Sequence, residues 1–179
     1  IGAKTEFFDR RLRLNLAAFI ADYDDYQINR FVQFPGGITV IQLSNAAKVH
    51  TEGAELSLEA LPTSGLRLTL DAAYMDATFD DFKGGGPAGS DATGNELPFS
   101  PKWSGSASAQ YTIDLPSMGS ELTLFGQYAY RSRTYAGQEN LPNQVLDARN
   151  IVNARVTLTH LDSNWAVSLW GANITEDDY

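Results

Sequence analysis

The stretch "PKWSGSASAQYTI", Pro101 to Ile113, decides the fold. Every second residue from Trp103 reads Trp, Gly, Ala, Ala, Tyr, and the residues between them read Ser, Ser, Ser, Gln, Thr. A period of two belongs to a β-strand, whose successive side chains point to opposite faces. One flank is apolar and bounded by aromatic rings; the other is small and hydrophilic. Such a strand separates two media.

The same alternation recurs along the chain. Ala54, Leu56, Leu58 and Ala60 oppose Gly53, Glu55, Ser57 and Glu59. Leu66, Leu68, Leu70, Ala72 and Tyr74 oppose Arg67, Thr69, Asp71, Ala73 and Met75. Leu122, Leu124, Gly126, Tyr128 and Tyr130 form a third set, Val152, Ala154, Val156 and Leu158 a fourth, and Trp165, Val167, Leu169 and Gly171 a fifth. No segment carries a helical period. Within Leu12 to Ile28 the two halves disagree. The first favours Leu14, Leu16, Ala18 and Ile20 as the apolar set and the second favours Phe19 and Tyr23, which leaves the register open and admits a bulge.

The connections carry as much information as the strands. Short breaks fall at Asp9 to Arg11, Pro62 to Gly65, Pro116 to Gly119 and Asp162 to Asn164. Long irregular stretches lie between them: Phe31 to Gly37, Asp80 to Pro101, Ala136 to Ala148, and one beginning at "TEDDY". Short and long breaks alternate, so every short turn belongs to one rim and every long loop to the other.

A soluble sandwich also alternates, but its strands usually run about 5–6 residues. These segments read as about 10–15, and a strand that crosses a bilayer needs about 9–11. One-sided loop length has no cause in a soluble sandwich and is the habit of outer-membrane barrels. Trp103, Trp165, Tyr74, Tyr111, Tyr128 and Tyr130 sit mostly near the ends of the apolar flanks, the place for rings with an apolar body and a polar tip. The predicted fold is therefore all-β: an antiparallel transmembrane barrel segment of about eight long meandering strands, with short periplasmic turns and long extracellular loops. In hydrocarbon no water satisfies an unpaired backbone group, so such a sheet must close.

The 179 residues carry a net charge of −9 and no cysteine. Acidity argues against nucleic acid, which needs a basic footprint. The absence of cysteine excludes disulfides, thiolate metal sites and a thiol nucleophile. No apolar run approaches the roughly 18 residues of a membrane helix. The chain begins at Ile1 rather than Met, which reads as part of something longer.

The stretches "LRLNLAAFIADYDDYQI", "TEGAELSLEALPTSGLRLTLDAAYMDATFDDF", "GNELPFSPKWSGSASAQY", "YAYRSRTY", "NARVTL" and "WAVSLWGANITEDDY", in this order and spacing, resemble the C-terminal part of the barrel of TonB-dependent outer-membrane receptors. The resemblance covers essentially the whole chain, residues 1–179. It implies a Gram-negative outer-membrane location, embedding in outer-membrane lipid, and about 22 strands around a separate N-terminal plug domain. The plug, the TonB-engaging segment and the last strand would lie outside this sequence. The implied function is energy-coupled uptake of a scarce nutrient, most often a ferric siderophore, with cobalamin and oligosaccharides as other family substrates.

Candidate chemistry is sparse. Arg131, Arg133 and Tyr135 climb from a strand into a long loop, where guanidinium forks can meet carboxylate or phosphate groups of a ligand. Arg67 and Arg155 are expected on the hydrophilic flank with Glu55, Glu59 and Asp71, as a mutual charge network within the wall. The acidic groups at Asp22, Asp24 and Asp25, at Asp76, Asp80 and Asp81, and at Glu176, Asp177 and Asp178 read as solvated loop carboxylates, with divalent-cation bridging to lipid phosphates as the weaker alternative. His50 and His160 match no metal spacing, and Gly84 to Gly89 lacks the Lys-Ser/Thr of a phosphate loop and reads as a flexible loop. No nucleophile elbow or triad can be assembled, so no enzyme, no cofactor and no metal are expected. The rival readings are a small passive outer-membrane barrel, porin-like or structural, and a soluble carbohydrate-binding β domain.

Overall fold

A computed structural model describes residues 1–33 and 39–177. The chain forms strands β1 (Gly2–Phe7), β2 (Leu12–Gln33), β3 (Thr39–Thr63), β4 (Leu66–Asp81), β5 (Trp103–Leu115), β6 (Ser120–Arg131), β7 (Thr134–Tyr135), β8 (Val145–Leu146), β9 (Arg149–His160) and β10 (Trp165–Gly171). Eight of them make one antiparallel sheet in the order β1-β2-β3-β4-β5-β6-β9-β10, while β7 and β8 pair as a two-residue hairpin inside the loop between β6 and β9. Among the described residues the sheet is open, because β1 and β10 are its two edges. Each strand follows its predecessor, as expected of a meander.

The turns at Phe8 to Arg11, Ser64–Gly65, Pro116 to Gly119 and Leu161 to Asn164 all lie at one rim. They close tightly for local reasons. Gly119 takes φ 57° after the single 3-10 turn Pro116–Met118, and Asn164 takes φ 49°; glycine and asparagine tolerate this region best. The long connections between β4 and β5 and between β6 and β9 leave from the other rim.

β2 and β3 run 22 and 25 residues, well beyond the expected length. The expected irregular stretch from Phe31 to Gly37 is correspondingly shortened. Phe31, Val32 and Gln33 still pair with Ile41, Val40 and Thr39, a continuation that β-branched and aromatic residues favour. Residues 34–38 lie outside the described residues.

The register of β2 is also settled. Leu14, Leu16 and Ala18 stand opposite Leu58, Leu56 and Ala54 on the apolar flank. Register shifts fall between Tyr23 and Tyr26 and between Tyr26 and Gln27, where Asp25 takes φ 56°. The bulge is thus present, but it follows both Phe19 and Tyr23, which lie in unbroken register on the flank opposite Leu14 and Ile20. Phe19 belongs to the other flank and pairs with Gly53; a Cβ at Gly53 would come within 2.7 Å of its ring.

Side chains on the apolar flank align in rows across the sheet. One row reads Leu14, Leu58, Leu70, Ala107, Tyr128 and Val152. No described element covers this flank: Ile20 is 71% exposed and Leu169 is 79% exposed. At the loop side the flank ends on Tyr74 and Trp103, in register and with ring centroids 4.8 Å apart. At the turn side Trp165 stacks on His160 at 5.5 Å. Tyr128 lies inside the apolar band, its hydroxyl donating to Asn150 Oδ1 at 2.7 Å.

The buried apolar cluster lies on the opposite flank, at the loop end. Val49 of β3 pairs with Phe79 of β4, and the β4–β5 loop lays Phe82 and Ala92 against them together with Ala47. The glycine run expected to be flexible is packed there only in part, since Pro87, Ala88 and Gly89 are exposed. Gly85 and Gly86 are buried, and a Cβ on Gly85 would collide with the Phe82 ring.

Candidate functional site

The two long loops meet at the rim above β5 and β6 and are fastened to each other. The ladder extends first through Ser132, whose N–H donates to Trp103 O at 2.8 Å while its Oγ accepts from Trp103 N at 3.0 Å. Phe99 N then donates to Tyr135 O at 2.8 Å. Asn95 Nδ2 donates to Gln138 O at 2.9 Å. Asn140 grips the backbone of Glu96, accepting from its N–H at 2.6 Å and donating to its carbonyl at 3.0 Å.

Of the three residues singled out from the sequence, the structure brings two together. The Arg133 guanidinium carbon lies 5.1 Å from the Tyr135 ring centroid, a cation–π distance, and its Nη2 lies 3.7 Å from Glu96 Oε1. Lys102 Nζ reaches the same carboxylate oxygen at 3.8 Å and Asp76 Oδ1 at 3.3 Å. Arg131 stands apart on the hydrophilic flank, in register with Ser104 and Arg149, and its Nε makes no hydrogen bond among the described residues.

Asn95, Glu96 and Asn140 are the site residues that the sequence reading passed over. A signal for them exists. Asn95-Glu96-Leu97-Pro98 in one loop and Glu139-Asn140-Leu141-Pro142 in the other are near copies, each with an asparagine and a glutamate ahead of Leu-Pro. The pairing is reciprocal: Asn95 reaches the second loop and Asn140 reaches the first.

A cavity of about 540 Å³ opens beside this fastening, walled by the loop end of β2 and by both loops. Tyr26, Ile28, Phe99, Gln138 and Gln144 are among its described lining residues. Among the described lining residues Glu139 is the charged one; its Oε2 accepts from Gln144 Nε2 at 2.8 Å.

Some of the acidic groups are partnered, while Asp178 lies outside the described residues. Asp22 Oδ1 lies 2.6 Å from His50 Nδ1, Asp24 pairs with Lys48 at 3.1 Å, and Asp177 Oδ2 accepts from Asn150 N at 2.7 Å. Among the described residues no three His, Cys, Asp or Glu side chains converge as a metal site. In the β4–β5 loop, Asp91 accepts from Thr93 Oγ1 at 2.6 Å and from Thr93 N at 2.9 Å. The hydroxyl bond, then the backbone bond, hold its carboxyl below the usual carboxylate range.

The charge network on the hydrophilic flank forms in part. Glu59 binds Arg67 at 2.9 Å and Arg13 at 3.7 Å, and Arg13 reaches Glu6 at 3.2 Å. Arg155 does not join these carboxylates; its guanidinium carbon lies 5.5 Å from the Phe125 ring centroid, the residue opposite it on β6. A neighbouring aromatic face substitutes for the expected counter-ion.

An antiparallel meander with one bare apolar flank, aromatic rings at that flank's ends and its long loops at one rim is the wall of an outer-membrane-type β-barrel. Among the described residues no helix is long and apolar enough to cross a membrane; the strands cross instead. The family model described as "TonB dependent receptor-like, beta-barrel" matches residues 1–174. The chain belongs to that family, whose members are outer-membrane barrels of Gram-negative bacteria. Its backbone is similar to the ferric yersiniabactin uptake receptor FyuA from Yersinia pestis, with a TM-score of 0.75 and 17% identity over 98% of this chain and 24% of that one. It is similar to the ferric preacinetobactin receptor BauA from Acinetobacter baumannii, with a TM-score of 0.72 and 18% identity over 97% of this chain and 24% of that one. It is also similar to the ferric-catecholate import receptor Fiu from E. coli K12, with a TM-score of 0.72 and 20% identity over 99% of this chain and 23% of that one. The chain thus spans about a quarter of the length of these receptors. Family and structural neighbours are receptors and transporters rather than enzymes.

Proposed function

We propose that this chain is a C-terminal section of the barrel of a receptor that takes up a ferric siderophore, driven by TonB acting on a plug domain carried elsewhere in the same protein. The observation that carries the reading is the match of nearly the whole chain to a TonB-dependent receptor barrel, with siderophore receptors among its structural neighbours. The section supplies wall and loops. Binding and gating are the work, so no covalent step is assigned to it.

Arg131, Arg133 and Tyr135 are the proposed ligand contacts. They stand at the loop-side mouth, and the Arg133–Tyr135 stack offers guanidinium donors beside a ring, a combination suited to the oxygen-rich surface of a chelate. The test is uptake of radiolabelled iron by cells carrying the intact gene under iron limitation. Uptake should require the gene and TonB, and should stop when a protonophore collapses the inner-membrane gradient. Arg131→Ala and Tyr135→Ala in the whole receptor should weaken chelate binding. Iron uptake that persists without TonB or without the gene overturns the reading.

A further inference from the structure

Arg155 carries its charge at the depth of the hydrocarbon. Its neighbours on β9, Ala154 and Val156, face the apolar flank, where Val156 aligns with Leu124 and Leu169. The guanidinium leaves the wall on the other flank, toward the barrel interior. An ionisable group at membrane depth turns to water or protein inside and pairs there.

No carboxylate of the wall adjoins it. Phe125 and Trp170 stand opposite it on the two flanking strands, and Asn153 and Thr157 lie two positions away on its own. All four are described, and the two polar ones are engaged within the wall. Asn153 Nδ2 donates to Gln127 Oε1 at 3.1 Å, and the Thr157 and Ser168 hydroxyls lie 2.8 Å apart. Arg13 and Arg67 on the same flank differ, since Glu59 meets both. The Phe125 ring centroid, 5.5 Å from the Arg155 guanidinium carbon, attracts the cation without neutralising it. β6 and β10 occupy the two sides of β9, so a carboxylate reaches Arg155 from the lumen.

The room beside it is limited. A hollow of about 270 Å³ is lined by Phe125, Asn153, Arg155 and Trp170 among others. This falls below the roughly 300–1,000 Å³ of small-molecule sites and suits inserted protein side chains. Trp170 is 69% exposed, beside the small Ser168 on the same flank of β10, so its ring also lacks a cover.

We infer that Phe125, Arg155 and Trp170 form a docking point for a carboxylate-bearing segment of the plug domain, with the guanidinium fork taking the carboxylate and the two rings packing the segment around it. The inference rests on the receptor reading above, which puts a plug domain of the same protein inside the barrel. Charge complementarity selects the occupant: a fork of donors without a wall counter-ion matches a carboxylate in a two-bond contact. The rings limit the water around that contact, which strengthens it.

The experiment uses the full receptor, plug included, in detergent. With Trp170 replaced by p-benzoylphenylalanine, irradiation should cross-link that position to a plug peptide that carries Asp or Glu. Hydrogen exchange supplies the second readout. Arg155→Gln removes the charge, and the amides of that peptide should exchange at least about tenfold faster, the scale of a lost charge-assisted hydrogen bond. Arg155→Lys keeps the charge without the fork and should fall between. Arg67→Gln, whose partner Glu59 belongs to the wall, should leave the peptide unchanged. Cross-links confined to barrel residues, plug exchange that Arg155→Gln leaves unchanged, or an equal rise with Arg67→Gln overturns the inference while the receptor reading stands. An intact protein that carries no plug domain removes the receptor reading, and this inference with it.

Discussion

Asn140 binds Glu96 as a strand residue binds its partner, but with a side chain: Oδ1 accepts from Glu96 N at 2.6 Å and Nδ2 donates to Glu96 O at 3.0 Å. The same amide also donates to Gly137 O at 3.1 Å. Asn140 takes φ 51°, a conformation that asparagine tolerates better than most residues. Backbone strain and side-chain reach thus come from one residue choice, and two loops that begin 50 residues of chain apart are joined by it.

Replacing Asn140 with Ala should therefore loosen both loops together. The variant leaves a partly buried N–H and C=O of Glu96 without partners, at a cost of about 1–3 kcal/mol for such groups. Asn140→Asp keeps the acceptor and loses the donor, so its effect should be intermediate. Hydrogen exchange in the full receptor measures this: the Glu96 amide should exchange fastest in the Ala variant, while amides in the Leu68–Leu70 stretch of β4 should keep their protection. Unchanged exchange at Glu96 would show that the fastening is not what orders the loops.

The two flanks of β5 predict opposite responses to one substitution. Ala107 lies in the row with Leu70 and Tyr128 on the bare apolar flank. Arginine there faces hydrocarbon, at about 2–4 kcal/mol near the bilayer midplane. Ser106 is the adjacent residue on the other flank and pairs with Asp71, so arginine there gains a carboxylate neighbour. Ala107→Arg should depress folding of the full receptor into lipid vesicles, read as heat-modifiable gel mobility, and Ser106→Arg should fold as the parent does. Equal yields would remove the assignment of the flanks to lipid and water.

How much of this was legible in the sequence depends on what each feature rests on. The strands and the rim of each turn follow from side-chain alternation and from Gly, Pro and Asn at the breaks, which are local. The sheet order follows because short turns force neighbours to pair. The lengths of β2 and β3 were not legible, because Phe31 to Gly37 contains turn residues and pairing nevertheless continues to Gln33. The conflict between Ile20 and Tyr23 was not the mark of the bulge near Asp25, which follows both; it arises because the otherwise hydrophilic flank turns apolar toward the loop end, where Tyr23 pairs with Val49. Arg155 resting on Phe125, and Asn140 gripping Glu96, depend on which residues stand opposite across long separations; periodicity carries no such information. The repeated Asn, Glu and Leu-Pro elements of the two loops were in plain view, but a repeat acquires meaning only when its copies touch.

Asp91 gives the β4–β5 loop a dependence on pH. Its carboxyl is held below the usual range by Thr93 Oγ1 and then Thr93 N, so its folded value lies below that of the unfolded chain. The stabilisation is complete above the unfolded value and fades as pH falls through the folded one. Protection of the Thr93 amide should decline with acidification over that window, and Asp91→Asn should remove the dependence while leaving that of other loop amides in place. A Thr93 amide whose protection is flat with pH in the parent protein counts against the contact.

Gly53 and Phe19 supply the last prediction. They stand opposite each other on the hydrophilic flank, and the ring covers the glycine: a Cβ there would meet Phe19 Cζ at 2.7 Å and would also strike the Tyr74 carbonyl. An aromatic ring over a cross-strand glycine shields backbone that no side chain covers, a way of holding register in sheets. The two clashes differ in kind. The ring can turn aside, but Tyr74 O belongs to the ladder between β3 and β4 and cannot move without breaking pairing. Gly53→Val should therefore cost about 1–3 kcal/mol, as overpacking does, and adding Phe19→Ala should recover only part of it. The measurement is the urea midpoint for unfolding of the full receptor from vesicles, with the single and double variants compared. Full recovery in the double variant would assign the whole constraint to the ring; no loss in Gly53→Val would show that the strands separate there freely, and would remove the close approach of β3 and β4 at this position.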